Sequence, residues 1–269
     1  MANAAYTSGF NTDALFVAAK AATVYAAHEQ SLFLGGGMIP VVNAPNGLLQ
    51  VPELAAVAAT TLTAEASTGV DLDAVLSADT KNIIQCDVYA ARSVLRDLGN
   101  IDPSEIGRVL GNAVSKAFDT AVVTAMDGLT ASTSDSTPMT VDALFDAVAQ
   151  IRGNGETGAL MGIVSTAEAA ALMKDIGTNA YGGGDFQSEA MRNGFLGQIA
   201  GVRMFQSSYV TGTNKGFIFA GDAMRIAMQK NVDIETARRP EAVGQDIVAS
   251  LHAGVGVIDA GRGVKLVNV

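Results

Sequence analysis

Apolar side chains follow a helical period most clearly in residues 103–127. The positions that fall near a 3.6-residue spacing are Ile106, Val109, Leu110, Ala113, Ala117, Ala121 and Thr124. Pro103 suits the first position of a helix, and Asp102 is a candidate for its cap. The pattern predicts one long helix that stops at Asp127-Gly128. At ~1.5 Å per residue, ~25 residues span roughly 40 Å, enough to support a whole domain.

Three shorter helices and one apolar strand are predicted on either side of this helix. Residues 11–30 have helical spacing after capping candidates at Asn11, Thr12 and Asp13. Further along, helices at 140–152 and 166–176 flank an apolar strand at 159–165. This alternation is typical of a layer in which helices cover a sheet.

Residues 32–58 mix apolar runs with glycine and proline, which favours extended segments joined by turns. Pro45-Asn46-Gly47 is a strong turn signal. A polar and acidic stretch surrounds Gly69, and a mainly apolar pattern returns from Ile83. Together these segments predict a long two-stranded excursion with a weakly structured tip.

The C-terminal half reads as short strands separated by glycine and proline. A glycine-rich loop is expected at 177–194, followed by strands at 198–207, 215–220 and 225–229. Three or four extended segments are predicted between Val232 and Val269, with breaks at Arg239-Pro240, at Gly254-Val255-Gly256 and at Gly261-Arg262-Gly263. The whole pattern predicts an α+β fold.

The charge balance argues against a surface that grips nucleic acid. The chain of 269 residues is 49% hydrophobic and carries 17 basic against 27 acidic residues, a formal net charge of −10. Strong phosphate binding needs clustered lysine and arginine, so direct nucleic-acid binding is disfavoured. Enclosing DNA without gripping it stays compatible with this charge.

No catalytic, cofactor-binding or metal-binding residues are expected. Cys86 is the only cysteine and has no histidine nearby, while His28 and His252 fit no metal-ligand spacing. Gly254 and Gly256 lack the third glycine of a dinucleotide motif. Cys86 is therefore interpreted as a structural thiol and the two histidines as structural side chains.

Several charged residues have a plain alternative to a functional role. Asp71, Asp73 and Asp79 lack the pattern of a calcium loop and are interpreted as a solvated acidic loop. Arg238-Arg239 is expected to serve salt bridges between subunits rather than an anion site. Lys81 is read as a solvated charge in preference to a crosslinking residue. The N-terminus has no signal-peptide pattern and no apolar run reaches ~20 residues, so no membrane association is expected.

The order of these elements resembles the major capsid proteins of tailed bacteriophages with the Hong Kong 97-like fold. An arm and a strand pair precede a long helix that ends KAFDTAVVTAMDG. An apolar strand and short helix follow in GALMGIVSTAEAAALMKD, then a turn into a strand in NGFLGQIAGVRMFQSSYV. A closing strand series runs from GFIFAGDAMRIAMQ through VIDAGRGVKLVNV. The resemblance covers roughly residues 30 to 269.

The resemblance implies a division of the chain into four parts. Residues 1–30 would form the N-terminal arm and 45–92 the extended loop that reaches a neighbour. The peripheral domain would combine 93–130, with its spine helix, and 231–269, whereas 131–230 would form the axial domain.

By the same resemblance the chain is a structural protein, not an enzyme, and has no cofactor. Copies would assemble into pentamers and hexamers of an icosahedral shell in the virion, after assembly in the host cytoplasm. The shell would enclose packaged DNA without binding it specifically, beside a portal. Because no long helical N-terminal extension is present, a separate scaffolding protein is implied.

Two alternatives are open. An encapsulin-type protein compartment shares the fold and would hold enzyme cargo. A small α/β enzyme or binding protein is supported by the alternation at 140–176, and it would be a monomer or dimer with one polar pocket. No catalytic set supports the second alternative.

Overall fold

The computed structural model describes residues 19–27, 31–34, 37–53, 80–96, 103–131, 138–178, 195–211 and 214–267. The helices in these ranges are α1 (19–27), α2 (Pro103–Ala125), α3 (Val141–Gly153) and α4 (Thr166–Thr178). The strands are β1 (Val41–Asn43), β2 (Leu48–Glu53), β3 (Thr80–Gln85), β4 (Asp87–Arg96), β5 (Thr130–Ala131), β6 (Leu160–Ser165), β7 (Phe195–Ile199), β8 (Val202–Ser207), β9 (Asn214–Ala220), β10 (Met224–Arg239), β11 (Gly244–Val257) and β12 (Gly263–Val267).

The strands form three sheets. A four-stranded sheet has the order β1-β10-β11-β4, and a six-stranded sheet has the order β5-β12-β9-β6-β8-β7. β2 and β3 pair with each other as an antiparallel two-stranded sheet, called the ribbon below. Helices and mainly antiparallel strands in separate stretches confirm the predicted α+β class.

Helix α2 packs its buried face against the four-stranded sheet and forms the centre of the largest core. The core positions along the helix are Ile106, Leu110, Val114, Phe118 and Val122. The prediction of the helix is confirmed, and Ile106 and Leu110 of its predicted apolar stripe are buried, but from Val114 onward the core positions lie one residue after the predicted ones. Small alanines at 113 and 117 follow the same period and are exposed, whereas the large side chains one position later are buried.

Helix α1 packs directly on α2 through small residues. A Cβ atom on Gly107 would lie 2.4 Å from the carbonyl oxygen of Ala19, and one on Gly111 would lie 2.5 Å from that of Thr23. The glycines therefore allow the two backbones to approach. Within the predicted helix at 11–30, residues 19–27 are helical, and the rest lies outside the described residues.

The layer of α3, β6 and α4 agrees with the predicted elements. Helix α3 is capped by Thr140, whose hydroxyl accepts a hydrogen bond from the Ala143 amide. Carboxylates of α4 satisfy further amides just before and within the first turn of α3. Glu168 accepts from Met139 N at 2.6 Å and Asp175 from Val141 N at 2.9 Å. The two helices are thereby fixed side by side on one face of the six-stranded sheet.

Three predictions about the C-terminal strands are corrected. The stretch 198–207 is not one strand, because Ala200 and Gly201, both with positive φ, form a tight turn between β7 and β8. β10 continues unbroken through 229–232, where register shifts produce bulges. β11 continues through Gly254-Val255-Gly256. β12 joins the six-stranded sheet, where it pairs antiparallel with β9.

Candidate functional site

The ribbon is a two-stranded sheet with one exposed face. Among the described strands, neither β2 nor β3 pairs with a third strand. Its outer face carries Leu48, which is 50% exposed, and Ile83, which is 60% exposed. These two positions are diagonal neighbours, because Leu48 pairs with Gln85 and Gln50 pairs with Ile83. An isolated two-stranded sheet with apolar side chains facing water is marginally stable, which points to a partner surface.

The inner face of the ribbon is fixed to the four-stranded sheet at one end. Ile84 packs in a small cluster with Ala44 and Ala227, and the amide of Asn82 donates to the carbonyl of Ile258 at 2.8 Å. The turn predicted at 45–47 is confirmed, and Gly47 accepts a hydrogen bond from the Cys86 amide at 2.9 Å. These contacts hold the base of the ribbon.

Two glycines of β11 create the space for this base. A Cβ on Gly254 would lie 2.1 Å from the carbonyl oxygen of Gln85, and one on Gly256 would lie 2.7 Å from Cγ1 of Ile84. The glycines interpreted as a break therefore serve close approach of the ribbon to the sheet.

The four-stranded sheet packs one face on α2, and the base of the ribbon lies against one end of its other face, which is otherwise open in the described structure. Along β4, Tyr89 and Leu95 pack on the core side, while Val88 and Val94 are exposed on the other. Arg92 on this open face pairs with Asp246 of β11. β4 is an edge strand among the described strands, so its outer backbone groups form a second candidate contact surface.

Asp119 is a fully buried carboxylate on α2. It accepts hydrogen bonds from the Ser31 hydroxyl at 2.6 Å and from the Leu32 amide at 3.0 Å. The Ser31 oxygen also accepts from the amides of Phe33 and Leu34. One acidic residue thus organises the turn at 31–34, which lies between α1 and β1, on the middle of the long helix.

Asp119→Asn is expected to remove part of the pH dependence of stability. Burial raises the pKa of Asp119 from 3.8 to about 6, while the bonds from Ser31 and Leu32 lower it. Between these pH values the folded chain holds a proton that the unfolded chain has lost. The associated stability is present below pH 3.8 and is lost as pH rises through about 6, by about 3 kcal/mol in total.

Urea unfolding of the unassembled wild type and of Asp119→Asn is followed at acidic and neutral pH. The difference between the two pH profiles of the free energy of unfolding measures the contribution of Asp119. Parallel profiles for the two proteins would contradict the assignment.

The remaining residues singled out from the sequence form no common site in the described structure. Burial, and then the charge of Asp87, raise the pKa of the half-buried Cys86 thiol, which disfavours the reactive thiolate. His252 lies in β11 opposite Lys230. Arg239 comes within 3.9 Å of Glu241 and 4.0 Å of Asp246 in its own chain. Salt bridges between subunits stay a prediction for Arg238-Arg239.

Several other residues from the sequence analysis cannot be placed. His28, Asp71, Asp73 and Asp79 lie outside the described residues, as does the side chain of Lys81. Of the glycine-rich loop predicted at 177–194, residues 177–178 belong to α4 and the rest lies outside the described residues. Across the described ranges, no group of three or more histidine, cysteine, aspartate or glutamate side chains is arranged to hold a metal ion. None of the described helices has the length and apolar character needed to span a membrane.

The sequence interpretation missed Asp119 and the role of Gly254 and Gly256. An acidic residue on an amphipathic helix normally faces solvent, yet position 119 falls on the same face as the buried Ser115 and Val122. When the core face of α2 is defined by its large apolar residues, position 119 falls on that face, and an acidic residue there indicates a buried carboxylate with a specific partner.

A family model described as phage capsid protein matches residues 97–266, which is more than half of the chain. The match begins before α2 and ends within β12. It therefore covers α2, the six-stranded sheet up to Leu266, and β10 and β11 of the four-stranded sheet, but not β1, β4 or the ribbon. A search of curated protein sequences found no match.

Solved structures with the same fold include a cyanophage capsid, a Mycobacterium phage structure and a virus-like particle. The capsid protein of cyanophage P-SCSP1u is 15% identical, with a TM-score of 0.65 and coverage of 86% of each chain. A structure from Mycobacterium phage Che8 is 18% identical, with a TM-score of 0.61, and the match covers 82% of this chain and 84% of that chain. The virus-like particle of Pyrococcus furiosus is 13% identical, with a TM-score of 0.65 and coverages of 93% and 98%.

Proposed function

Because the chain belongs to the phage capsid protein family, we propose that its ribbon and the open face and edge of β4 are the surfaces through which copies of it join. The chain has the Hong Kong 97-like fold and is a structural major capsid protein that forms the shell of a virion. The observation that carries the proposal is the ribbon, whose outer face exposes Leu48 and Ile83. Burial of such side chains by a neighbour would supply the stability that two strands lack.

We propose the division into arm, extended loop, peripheral domain and axial domain with adjusted boundaries. The intrachain packing of α1 supports limiting the arm to residues before Ala19. The pairing of β4 along β11 supports ending the loop near Gln85 rather than at residue 92. The position of β12 beside β9 supports counting it with the axial domain.

Assembly partners other than the chain itself are also proposals. A separate scaffolding protein, a portal and assembly in the host cytoplasm follow from the family's mode of assembly. The net charge of −10 supports packaged DNA being enclosed without specific binding. We also propose a purely structural role without catalysis, because the chain belongs to the phage capsid protein family.

The wild-type chain is expected to form uniform hollow particles when expressed, with or without a scaffold, as seen by negative-stain electron microscopy. A chain that remains a compact monomer or dimer under all these conditions would contradict the function.

An enclosed compartment for protein cargo is the second candidate function. It is supported by the likeness to the virus-like particle of Pyrococcus furiosus, which this chain matches over 93% of its length. Mass spectrometry of particles isolated from their native source separates the two functions, because phage particles contain DNA and a portal whereas a compartment contains a folded cargo protein.

Ile83→Asp is expected to prevent particle formation while leaving the subunit folded. The side chain is 60% exposed on the outer face of the ribbon, so the substitution costs the subunit little. In a closed contact the same carboxylate would be buried without a partner, which costs several kcal/mol per copy. Size-exclusion chromatography and circular dichroism measure assembly and folding separately.

Ile83→Val is the matched control, since it keeps an apolar side chain and is expected to assemble. Normal particles from Ile83→Asp would exclude the outer face of the ribbon from the contact.

A further inference from the structure

The two sheets are joined at a polar junction where separate connections of the chain meet. Residues 221–223 connect β9 to β10, and residues 258–262 connect β11 to β12. The amides of Ile258 and Asp259 both donate to the carbonyl oxygen of Ala223, at 2.8 and 3.2 Å. The Thr130 hydroxyl donates to Ala260 at 2.8 Å. The 221–223 connection and β5 are therefore both tied to the 258–262 connection.

Arg262 occupies the centre of this junction. Its Nε lies 3.0 Å from Asp259, and its Nη1 lies 3.3 Å from Glu156 and 3.9 Å from Asp222. These carboxylates come from three different segments: the 258–262 connection, the loop after α3, and the turn between β9 and β10. The planar guanidinium presents several donors in a fixed geometry, which suits it to hold separate segments at set positions.

The loop after α3 is held to the same place by further bonds. The Asn154 amide donates to the carbonyl of Gly261 at 2.7 Å. Glu156 is mostly buried, at 11% exposure, and its second carboxylate oxygen accepts from the Gly158 amide at 2.7 Å. The hydrogen bond from Gly158 therefore fixes the position of the Glu156 carboxylate that pairs with Arg262.

Apolar packing alone sets the angle between the sheets only loosely. Both sheets contribute to one continuous core, with Phe217 and Phe219 from the six-stranded sheet and Ile247 and Leu251 from the four-stranded sheet. Hydrophobic burial is non-directional, so small rotations of one sheet against the other change it little. Directional ties at the junction are needed to select one orientation.

We propose that Arg262 is a positioning residue that sets the relative orientation of the two sheets, and with it the subunit shape that a shell of one curvature requires. The second half of this inference rests on the proposed shell function. The first half concerns the isolated subunit and can be tested alone.

The relative orientation of the two sheets is measured by double electron–electron resonance spectroscopy on the unassembled full chain. Spin labels are placed at Val94→Cys on β4 and Gln198→Cys on β7, two exposed positions in different sheets, with Cys86→Ser in the background. Arg262→Gln is expected to shift or broaden the distance distribution relative to the labelled wild type.

Arg108→Gln is the control, because Arg108 is exposed on α2 and pairs with Glu105 away from the junction. Its distribution is expected to equal that of the wild type.

Glu156→Gln keeps the inference testable if Arg262→Gln does not fold. Glutamine retains an oxygen for the Gly158 amide and removes only the charge that faces Arg262. Unchanged distance distributions in every folded junction variant would overturn the inference about orientation.

Particle diameters from electron microscopy test the second half. Junction variants are expected to give a wider range of diameters, or open and tubular assemblies, compared with the wild type and Arg108→Gln. Identical diameters despite changed distances would overturn the link to curvature. If the wild-type chain forms no shell at all, the proposed function fails, and the distance measurement still decides the role of Arg262 in the subunit.

Discussion

Gly254→Ala is expected to destabilise the subunit by about 3 kcal/mol and to displace the ribbon from the sheet. The added Cβ would lie 2.1 Å from the carbonyl oxygen and 2.8 Å from the carbonyl carbon of Gln85. Both are backbone atoms, so no side-chain rotation relieves the contact. Either β11 bends or the base of the ribbon moves away, and the packing of Ile84 is lost with it. Urea unfolding measures the destabilisation.

Hydrogen exchange on β2 and β3 then identifies where the loss occurs. Exchange in the ribbon is expected to rise before exchange in β10 and β11, because the clash lies at its base. Gly153→Ala is the matched control, since a Cβ at the end of α3 meets nothing within 4 Å. Alanine there is expected to stabilise the protein by about 0.5 kcal/mol. Equal stabilities of the two alanine variants would refute the close approach at Gly254.

Phe118→Ala is expected to cost about 4 kcal/mol in free energy of unfolding. The ring is fully buried on α2 and packs edge to face on Tyr89 of β4, with ring centroids 5.6 Å apart. Removing it leaves a cavity between the long helix and the edge strand of the four-stranded sheet. Aromatic contacts of this kind add stability beyond the area that they bury.

Val109→Ala on the same helix provides the comparison. Val109 belongs to the stripe predicted from the sequence but is 56% exposed, so its truncation is expected to change stability by less than about 0.5 kcal/mol. Thermal or urea unfolding of the two variants tests the orientation of α2 directly. A larger loss from Val109→Ala than from Phe118→Ala would mean that the helix is rotated from the position described.

The elements of this fold were largely predictable, and their contacts were not. Pro103 and a long amphipathic run predict helix α2. Its alanines share the period of its core residues, so spacing alone identifies the buried Ile106 and Leu110 but also selects the exposed Ala113 and Ala117. Glycine gives the same signal in a turn and at a close contact. The sequence therefore predicts a break at Gly254, whereas this glycine is needed for the close contact with Gln85, which lies far away in the sequence.

The candidate surfaces show the same limit. An excursion of paired strands was expected from the turn at Pro45-Asn46-Gly47 and from the apolar run after Ile83. Three features depend on residues that come together only in the folded chain. They are the contact of the ribbon with β11, the buried Asp119 and the junction around Arg262. The hydrophobic pattern of one segment cannot predict these contacts, because tertiary packing determines which segments meet.

A single residue, Cys86, separates β3 from β4, and this has a mechanical consequence. Tension applied to the ribbon by an adjoining subunit passes along one continuous extended backbone into β4, without a slack loop to absorb it. From β4 the load reaches Phe118 through Tyr89, and so the middle of the long helix. Strain in the ribbon is thereby transmitted to α2.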